Sequence, residues 1–462
     1  MRRVGTAPLR LGAIAAGFSL LSGCGADGGA AAAFGPRAAR VSSSSTSPIA
    51  HVVLLVQENR TFNDFFATFP GADGVTTATV GKDKACSIGK PETIALTESP
   101  LVTVHDLNHS YQGYNTARDG GAMDGFDRVP FGGGTPECTY PYQYTNPSQI
   151  VPYWDLAQQY ALAEHMFTTQ GSSSFTAHQD LIAGGTLVEA NEALVNLPTC
   201  SGFKCVWGCD APPNTHTSLI SQNDALQLGK GPFPCLTYET LRDLLDAKGV
   251  SWKYYVPKMC CTSYGRLMSA FDAISAVRYG PEWKTNVITP QTKIFDDIAA
   301  GKLPAMSWVI PEADDSDHPG LKVDDGPSWV ASVVNAIGES QYWDTTAIVV
   351  VWDDWGGLYD NLNPRQLGYG GLGFRVPALV VSPYARAGYI SPTQYEFGSI
   401  LKYVEQNWGL GSLGTSDERA TSIADCFDYS QSPIAFRPIA SSRSRAYFQH
   451  EKASNRPVDT DL

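Results

Sequence analysis

AIVVVWDDWGG, at residues 347–357, is a continuous apolar run that ends in Asp353-Asp354 and is followed by two glycines. Near the start of the chain, HVVLLVQENR at residues 51–60 has the same layout, with Glu58-Asn59 behind the apolar run. A short run of β-branched residues without polar alternation is typical of a strand that is buried on both faces of a sheet. Both stretches therefore predict buried strands with polar side chains at their carboxyl ends.

Three further apolar runs, at residues 250–255, 306–310 and 376–381, have the same strand character. Helical patterns lie between the runs, for example at residues 329–337 and 397–408. Buried strands that are separated by helices predict an α/β fold, a three-layer sandwich with a mostly parallel central sheet.

Polar clusters stand where the predicted strands end. They are Glu58-Asn59, residues 312–318 and Asp353-Asp354. Ligands of such sheets bind at the carboxyl ends of the strands, so these clusters predict the functional site.

The composition is that of a folded, acidic protein. Of the 462 residues, 43% are hydrophobic and 17% are charged, and the formal net charge is −13. A globular composition excludes a disordered chain, and the acidic balance argues against a nucleic-acid partner, which needs a basic face.

The N-terminus resembles a bacterial lipoprotein signal. Arg2, Arg3 and Arg10 precede an apolar stretch at residues 11–21. The stretch runs into the motif LSGC at residues 21–24, in which Cys24 is the last residue. The stretch is too short to span a bilayer comfortably, so we expect an export signal at residues 1–24 with lipid attached to Cys24. An ordinary secretory peptide that is cut nearby is the alternative. With lipid on Cys24, the protein is a cell-envelope lipoprotein that contacts the membrane only through this residue. With an ordinary signal peptide, it is a secreted or periplasmic protein.

The remaining chain divides into three parts. Residues 25–48 are rich in Ala, Gly and Ser and predict a flexible tether, residues 49–440 form the folded domain, and residues 441–462 form a C-terminal tail.

Nine cysteines remain after Cys24, an odd number for an exported protein. Four of them lie in residues 186–240, which we interpret as a disulfide-braced insertion on a sheet edge or over the site. Zinc is the alternative, but the spacing of these four does not match the usual paired knuckles, and disulfides are favoured. The four are Cys200, Cys205, Cys209 and Cys235.

The two pairs at strand ends are candidate metal ligands. Glu58 and Asn59 offer a carboxylate and an amide oxygen that could share a hard cation. Asp353 and Asp354 would repel each other unless a cation or proton separates them. A helix-capping cluster and a solvated turn are the respective alternatives.

GSSSFTAHQ, at residues 171–179, places hydroxyls ahead of an apolar helix. The N–H groups of a helix N-terminus favour an anion such as phosphate, and a serine beside a divalent metal is a good nucleophile. The alternative is an N-cap serine, and three serines in a row leave the register open.

Two histidines stand in polar loops, His109 in HDLNHS and His318 in DDSDHP. Each could donate a proton to a leaving group or bind phosphate oxygens. A hydrogen bond within its own loop is the alternative for each.

Taken in order, these motifs resemble the bacterial phosphoesterase family of non-specific phospholipases C and acid phosphatases, which share the alkaline-phosphatase-like fold. The resemblance runs from residue 49 to residue 433 and includes WKYY at 252–255, WDDWGGLYD at 352–360, FRVP at 374–377 and EFGSIL at 396–401.

The resemblance implies a role for each matched position. Glu58 with Asn59, and Asp353 with Asp354, match the two metal-binding pairs. Ser174 matches the nucleophile, which is also a metal ligand, with Ser173 as the second choice. The remaining matches are histidines, which are expected to act in catalysis: His109, His318 and His178.

The implied cofactor is one divalent ion, with Mg, Ca or Mn favoured over Zn because the ligands are oxygen-rich. Three positions depart from the family pattern. Asn361 stands where the family has His, and Ser173 and Thr176 stand where it usually has Pro.

The expected activity is metal-dependent hydrolysis of a phosphate ester or phospholipid through a phosphoserine intermediate, of the acid phosphatase or phospholipase C type. A catalytically silent surface lipoprotein with the same fold is the alternative. A metal-free serine hydrolase is disfavoured because the chain lacks a Gly-x-Ser-x-Gly elbow around the serine cluster.

Overall fold

A computed structural model describes residues 47–103, 105–131, 138–199, 206–259 and 268–453. These ranges belong to one compact unit, which extends from Thr46 to Leu462. A first unit, Met1–Ser45, lies outside the described residues. The predicted signal, the predicted lipidation site Cys24, nearly all of the tether and four further cysteines therefore also lie outside them. Those cysteines are Cys200, Cys205, Cys260 and Cys261.

The strands in chain order are β1 (His51–Gln57), β2 (Thr77–Val80), β3 (Glu92–Ala95), β4 (Thr97–Ser99), β5 (Gln143–Thr145), β6 (Ala161–Ala163), β7 (Met166–Phe167), β8 (Leu187–Glu189), β9 (Glu192–Thr199), β10 (His216–Ser221), β11 (Leu226–Gln227), β12 (Trp252–Tyr255), β13 (Val287–Ile288), β14 (Met306–Val309), β15 (Thr346–Trp352), β16 (Ala378–Val381), β17 (Tyr389–Ser391) and β18 (Tyr395–Glu396).

The α-helices of the described residues are α1 (Phe62–Phe66), α2 (Tyr111–Arg118), α3 (Val151–Gln159), α4 (Ser174–Ala183), α5 (Leu241–Lys248), α6 (Ser275–Arg278), α7 (Glu282–Thr285), α8 (Lys293–Ala299), α9 (Gly326–Gly338), α10 (Phe397–Trp408), α11 (Ser416–Arg419) and α12 (Arg445–His450). Within the same ranges, no helix has both the length and the apolar composition that crossing a bilayer requires.

Eight strands form the central sheet, in the order β13-β12-β14-β1-β15-β16-β6-β17. Neighbouring strands are parallel except at β16, which is antiparallel to both β15 and β6. The five apolar runs of the sequence lie in β1, β12, β14, β15 and β16, so the mostly parallel sheet is confirmed.

Helices cover the sheet on both faces. Every residue of β14, β15 and β16 is buried, as a strand between two helical layers must be. One group of helices packs around α9, which contacts α3, α8 and α12, and another packs around α10, which contacts α4 and α11. The three-layer α/β architecture predicted from the sequence is thus confirmed.

The register of β1 and β15 sets up the site. The two strands pair in parallel from His51 opposite Thr346 to Gln57 opposite Trp352. Because both strands end at the same level, the residues that follow them, Glu58 and Asp353, begin side by side at the carboxyl edge of the sheet.

The predicted insertion contains more regular structure than its sequence suggested. β8, β9, β10 and β11 form a four-stranded antiparallel sheet in this segment. Apolar residues of β9 and β10, such as Leu194 and Ile220, are fully buried in two hydrophobic clusters, and this burial stabilises the sheet.

The described cysteines support disulfides over zinc. Cys209 is bonded to Cys235, which removes two of the four thiolates that the zinc alternative needs. Cys86 is bonded to Cys138, and Cys426 is a buried free thiol.

Candidate functional site

The two acidic strand ends meet in the interior. Glu58, Asn59, Asp353 and Asp354 have no solvent-exposed surface. The backbone N–H of Asn59 donates to Asp353 Oδ1 at 2.9 Å, and that of Asp354 donates to the same oxygen at 2.7 Å. Gly356 makes this close packing feasible, since a Cβ on it would lie 2.2 Å from the Asn59 carbonyl oxygen. The structure therefore brings the four predicted metal ligands together.

His178 lies with the carboxylates of this cluster. Its Nε2 is 3.1 Å from Glu58 Oε1 and 3.6 Å from Asp353 Oδ2. One donor atom from each of these three residues falls within 4.8 Å of the other two. The sequence predicted a catalytic role for this histidine, and its position beside Glu58 and Asp353 would also allow it to hold a metal ion.

Burial and charge crowding perturb the cluster. Burial, with a further contribution from the Glu58 charge, raises the pKa of Asp353 to about 8. Burial lowers the pKa of His178, and the nearby Asp353 charge opposes that shift. The buried carboxylates of this cluster lack enough nearby positive charge to neutralise them, as expected of a site that binds a cation.

Ser174 is the serine that reaches this cluster. It is the first residue of α4, and its Oγ donates to Asp354 Oδ2 at 3.0 Å and lies 3.5 Å from Asn59 Oδ1. Ser173 occupies the N-cap position of the same helix, and its Oγ has no hydrogen-bond partner in the described part of the chain. The geometry thus favours Ser174 over Ser173 as the nucleophile.

His109 and His318 face the same amide from opposite loops. Asn59 Nδ2 donates to the Nε2 of each ring at 3.1 Å. The Nδ1 of His109 donates to the Leu107 carbonyl at 2.7 Å, and the Nδ1 of His318 donates to the Pro319 carbonyl at 2.6 Å. Since a carbonyl can only accept, this arrangement assigns the hydrogen to Nδ1 and turns Nε2 of both rings towards the site.

Asp317 holds the His318 loop beneath the site, a role that the sequence did not reveal. Its Oδ2 accepts hydrogen bonds from Tyr153 Oη at 2.6 Å, Trp352 Nε1 at 3.0 Å and Gln57 Nε2 at 3.3 Å. Burial raises the pKa of Asp317 to about 6, although the Tyr153 hydrogen bond opposes the shift. The only sequence signal was the position of this acid directly before His318.

Asn361, which stands where the family has His, contacts a buried arginine. Its Oδ1 accepts from Arg375 Nη2 at 2.6 Å, and Arg375 Nε donates to Asp360 Oδ1 at 2.9 Å. The Arg375 guanidinium also covers the Phe62 ring at 4.5 Å. The substitution of the family histidine therefore falls in a buried arginine network behind α1.

Phospholipases C from bacteria and a plant are similar in sequence to this chain. Phospholipase C A of Mycobacterium tuberculosis is 25% identical over 448 residues, which cover 84% of this chain and 79% of that protein. A non-hemolytic phospholipase C of Pseudomonas aeruginosa is 24% identical, covering 82% and 56% of the two chains. Non-specific phospholipase C6 of Arabidopsis thaliana is 24% identical, covering 85% and 75%.

Among solved structures, a protein in the alkaline phosphatase superfamily from Vibrio parahaemolyticus matches with a TM-score of 0.38 and 11% identity, over 82% of this chain and 73% of that one. The model of the Phosphoesterase family matches residues 49–411. The chain therefore belongs to the Phosphoesterase family, and it is a hydrolase of phosphoric esters.

Proposed function

We propose that this protein hydrolyses phospholipids as a metal-dependent phospholipase C, with Ser174 as the nucleophile. The observation that carries the proposal is the contact of Ser174 Oγ with Asp354 Oδ2 at 3.0 Å, at a helix N-terminus and inside a buried carboxylate cluster. The names of the relatives, phospholipases C from bacteria and a plant, support the lipid substrate.

The residues present fit one divalent metal. Asp353 Oδ2 is buried and has no hydrogen-bond partner among the described residues, as expected of an atom that faces a cation. The metal would be held by Glu58, Asn59, Ser174, Asp353 and Asp354, with His178 beside them. Oxygen ligands favour Mg, Ca or Mn, and a histidine nitrogen would widen the choice towards Zn. When bound, the ion supplies positive charge that lowers the pKa of a ligating hydroxyl.

Ser174 performs the displacement in this proposal. Its hydroxyl proton passes to Asp354 Oδ2, the acceptor it already contacts, and Oγ attacks phosphorus. The bond from phosphorus to the leaving diacylglycerol oxygen breaks as that oxygen takes a proton from protonated His109 or His318, and a phosphoester on Ser174 forms. Water then attacks the same phosphorus and gives a proton to that histidine. The bond from phosphorus to Ser174 Oγ breaks, Oγ regains its proton from Asp354, and the head-group phosphate is released.

His109 and His318 bind the phosphoryl group when Nε2 of each ring also carries a proton, and Asn59 holds the two rings in place. The three side chains already form one hydrogen-bonded unit, so they are held before the substrate arrives. Ser174 begins α4, and the N–H groups at a helix N-terminus favour negative charge. Preorganised donors of this kind stabilise the charge of the transition state.

The test is an assay of the purified mature chain on phosphatidylcholine and on a nitrophenyl phosphate. Ser174→Ala is expected to reduce kcat by roughly a thousandfold or more, since a nucleophile has no substitute, whereas the matched control Ser173→Ala keeps most of it. A chelator should abolish turnover and added metal should restore it.

Each outcome has a distinct meaning. Activity that survives both Ser174→Ala and the chelator would refute the mechanism. Turnover of the monoester without the phospholipid would identify an acid phosphatase instead. A chain that hydrolyses neither substrate with any of several metals would be the silent surface lipoprotein. A loss in Ser173→Ala alone would move the nucleophile by one residue.

A further inference from the structure

We propose that Asn196, in the antiparallel sheet β8–β11, is a positioning residue that fixes the two loops carrying Ser174 and His109. The inference rests on the proposed function, since it assigns the insertion a task in the same reaction. The sequence placed this segment at a sheet edge or over the site, and the proposal states what it does there.

Asn196 stands at an irregularity of its strand. β9 pairs with β10 through Val195 opposite Ser218 and Thr199 opposite His216, and the register shifts between these positions. Asn196 has a φ of +59°, the left-handed conformation that Asn tolerates better than most residues. A bulge of this kind redirects a residue out of the ladder, and here both its backbone and its side chain turn to other segments.

Asn196 forms three hydrogen bonds of 2.7 Å with other segments. Its backbone N–H donates to Ser172 Oγ, its Oδ1 accepts from the Tyr111 N–H, and its Nδ2 donates to Gln112 Oε1. Ser172 precedes the nucleophile by two residues in the 171–174 loop. Tyr111 begins α2, two residues after His109.

The bridge matters because the two loops come from distant parts of the chain. Asn196 is 24 residues from Ser172 and 85 residues from Tyr111. Ser174 must attack a phosphorus atom whose oxygens are bound by His109, so the relative placement of the loops sets the attack geometry. A misplacement of about 1 Å can lower the rate by about a hundredfold.

The variant Asn196→Gly tests the side-chain hydrogen bonds of Asn196 separately from its backbone hydrogen bond. Glycine adopts the left-handed conformation without strain, so the variant loses the contacts to α2 and keeps the N–H donor to Ser172. We expect kcat to fall by roughly tenfold to a hundredfold, with metal content unchanged. Asn196→Asp keeps the acceptor for the Tyr111 N–H and should recover most of the activity. Asn191→Gly, at an exposed position of the same sheet with a φ of +66°, is the matched control and should keep wild-type kcat.

Amide hydrogen exchange supplies a readout that does not depend on turnover. In Asn196→Gly, exchange should quicken in residues 107–111 and 171–174, whereas Asn191→Gly should leave both loops protected. Wild-type kcat and unchanged exchange in Asn196→Gly would overturn the proposal. An Asn196→Asp enzyme as impaired as the glycine variant would also overturn it. Turnover by the wild type that is independent of Ser174 would remove the proposed function and this inference together.

Discussion

The two carboxylate oxygens of Asp353 have different surroundings in the site. One of its oxygens accepts two backbone N–H groups, and the other has no hydrogen-bond partner among the described residues. The first oxygen fixes the carboxylate, and the second leaves a charge to be compensated. This division between a structural and a ligating oxygen leads to a prediction for a single substitution.

Asp353→Asn keeps an oxygen for the two N–H donors and removes the charge. Metal affinity, measured by titration of the metal-free protein, should fall by more than roughly tenfold, the loss typical even of supporting groups around a metal. Without metal at pH 8, the variant should melt at or above the wild-type temperature, because it relieves the crowding of Asp353 against Glu58. Undiminished metal binding would contradict the assigned ligand set.

Asn361 offers the complementary case of a substitution outside the site. Since it accepts a hydrogen bond from Arg375 and lies behind α1, Asn361→Ala should cost about 1 kcal/mol of unfolding free energy, the usual value of one hydrogen bond. The value of kcat should stay within about twofold of the wild type, because a stability change alone leaves the folded enzyme unaltered. Denaturant unfolding and steady-state kinetics measure the two effects. A large fall in kcat with little loss of stability would place Asn361 in the reaction.

Helix α10 carries a buried acid, Glu405, which makes the stability of the folded protein depend on pH. Burial, together with the neighbouring Asp417 charge, raises the pKa of Glu405 to about 7. The hydroxyl and backbone donors around Asp417 lower its own pKa, although burial opposes them, so its negative charge persists beside Glu405. The folded state thus holds the Glu405 proton more tightly than the unfolded chain does.

The sign of the effect follows from linkage. In the unfolded chain Glu405 ionises near pH 4, and in the folded chain near pH 7, so stability is lost as the pH rises between these values. Glu405→Gln removes this loss, and it should raise the melting temperature at pH 8 by about 2 °C and change it little at pH 5. Scanning calorimetry at the two pH values measures the difference. An equal shift at both would show that Glu405 ionises normally in the folded protein.

The elements also show what the sequence could reveal. β1 and β15 were predictable because a strand buried on both faces must be apolar throughout, and the acids that follow them had to lie at one edge. The direction of β16 was not predictable, since an apolar run carries no sign of its orientation. The strands of the insertion were missed because Asn196 and Pro198 interrupt β9, and the segments between the strands are rich in Pro, Gly and Asn. His178 was predicted as a site residue, but its contacts with Glu58 and Asp353 were not, although it lies one helical turn after Ser174 and therefore on the same face of α4.

At the scale of the whole molecule, the disulfide Cys209–Cys235 ties the middle of the insertion to its last residues, which lead into α5. Closing a loop of 26 residues restricts the unfolded chain, and its removal should cost about 2 to 5 kcal/mol. The double variant Cys209→Ser with Cys235→Ser should therefore melt at a lower temperature than the wild type. Treating the wild type with a reductant should lower its melting temperature in the same direction, and the variant should respond less. An unchanged melting temperature in the double variant would show that packing alone holds the insertion.

The central claim concerns one covalent bond, between Ser174 Oγ and phosphorus. Rapid acid quenching of the wild-type enzyme during turnover of a nitrophenyl phosphate, followed by peptide mass spectrometry, measures that bond directly. We predict a phosphoryl group on Ser174 within the first turnover, and none in the Ser174→Ala variant or in the chelated enzyme. An active enzyme that carries no phosphoryl group at any quench time, or carries it on another residue, would contradict the account.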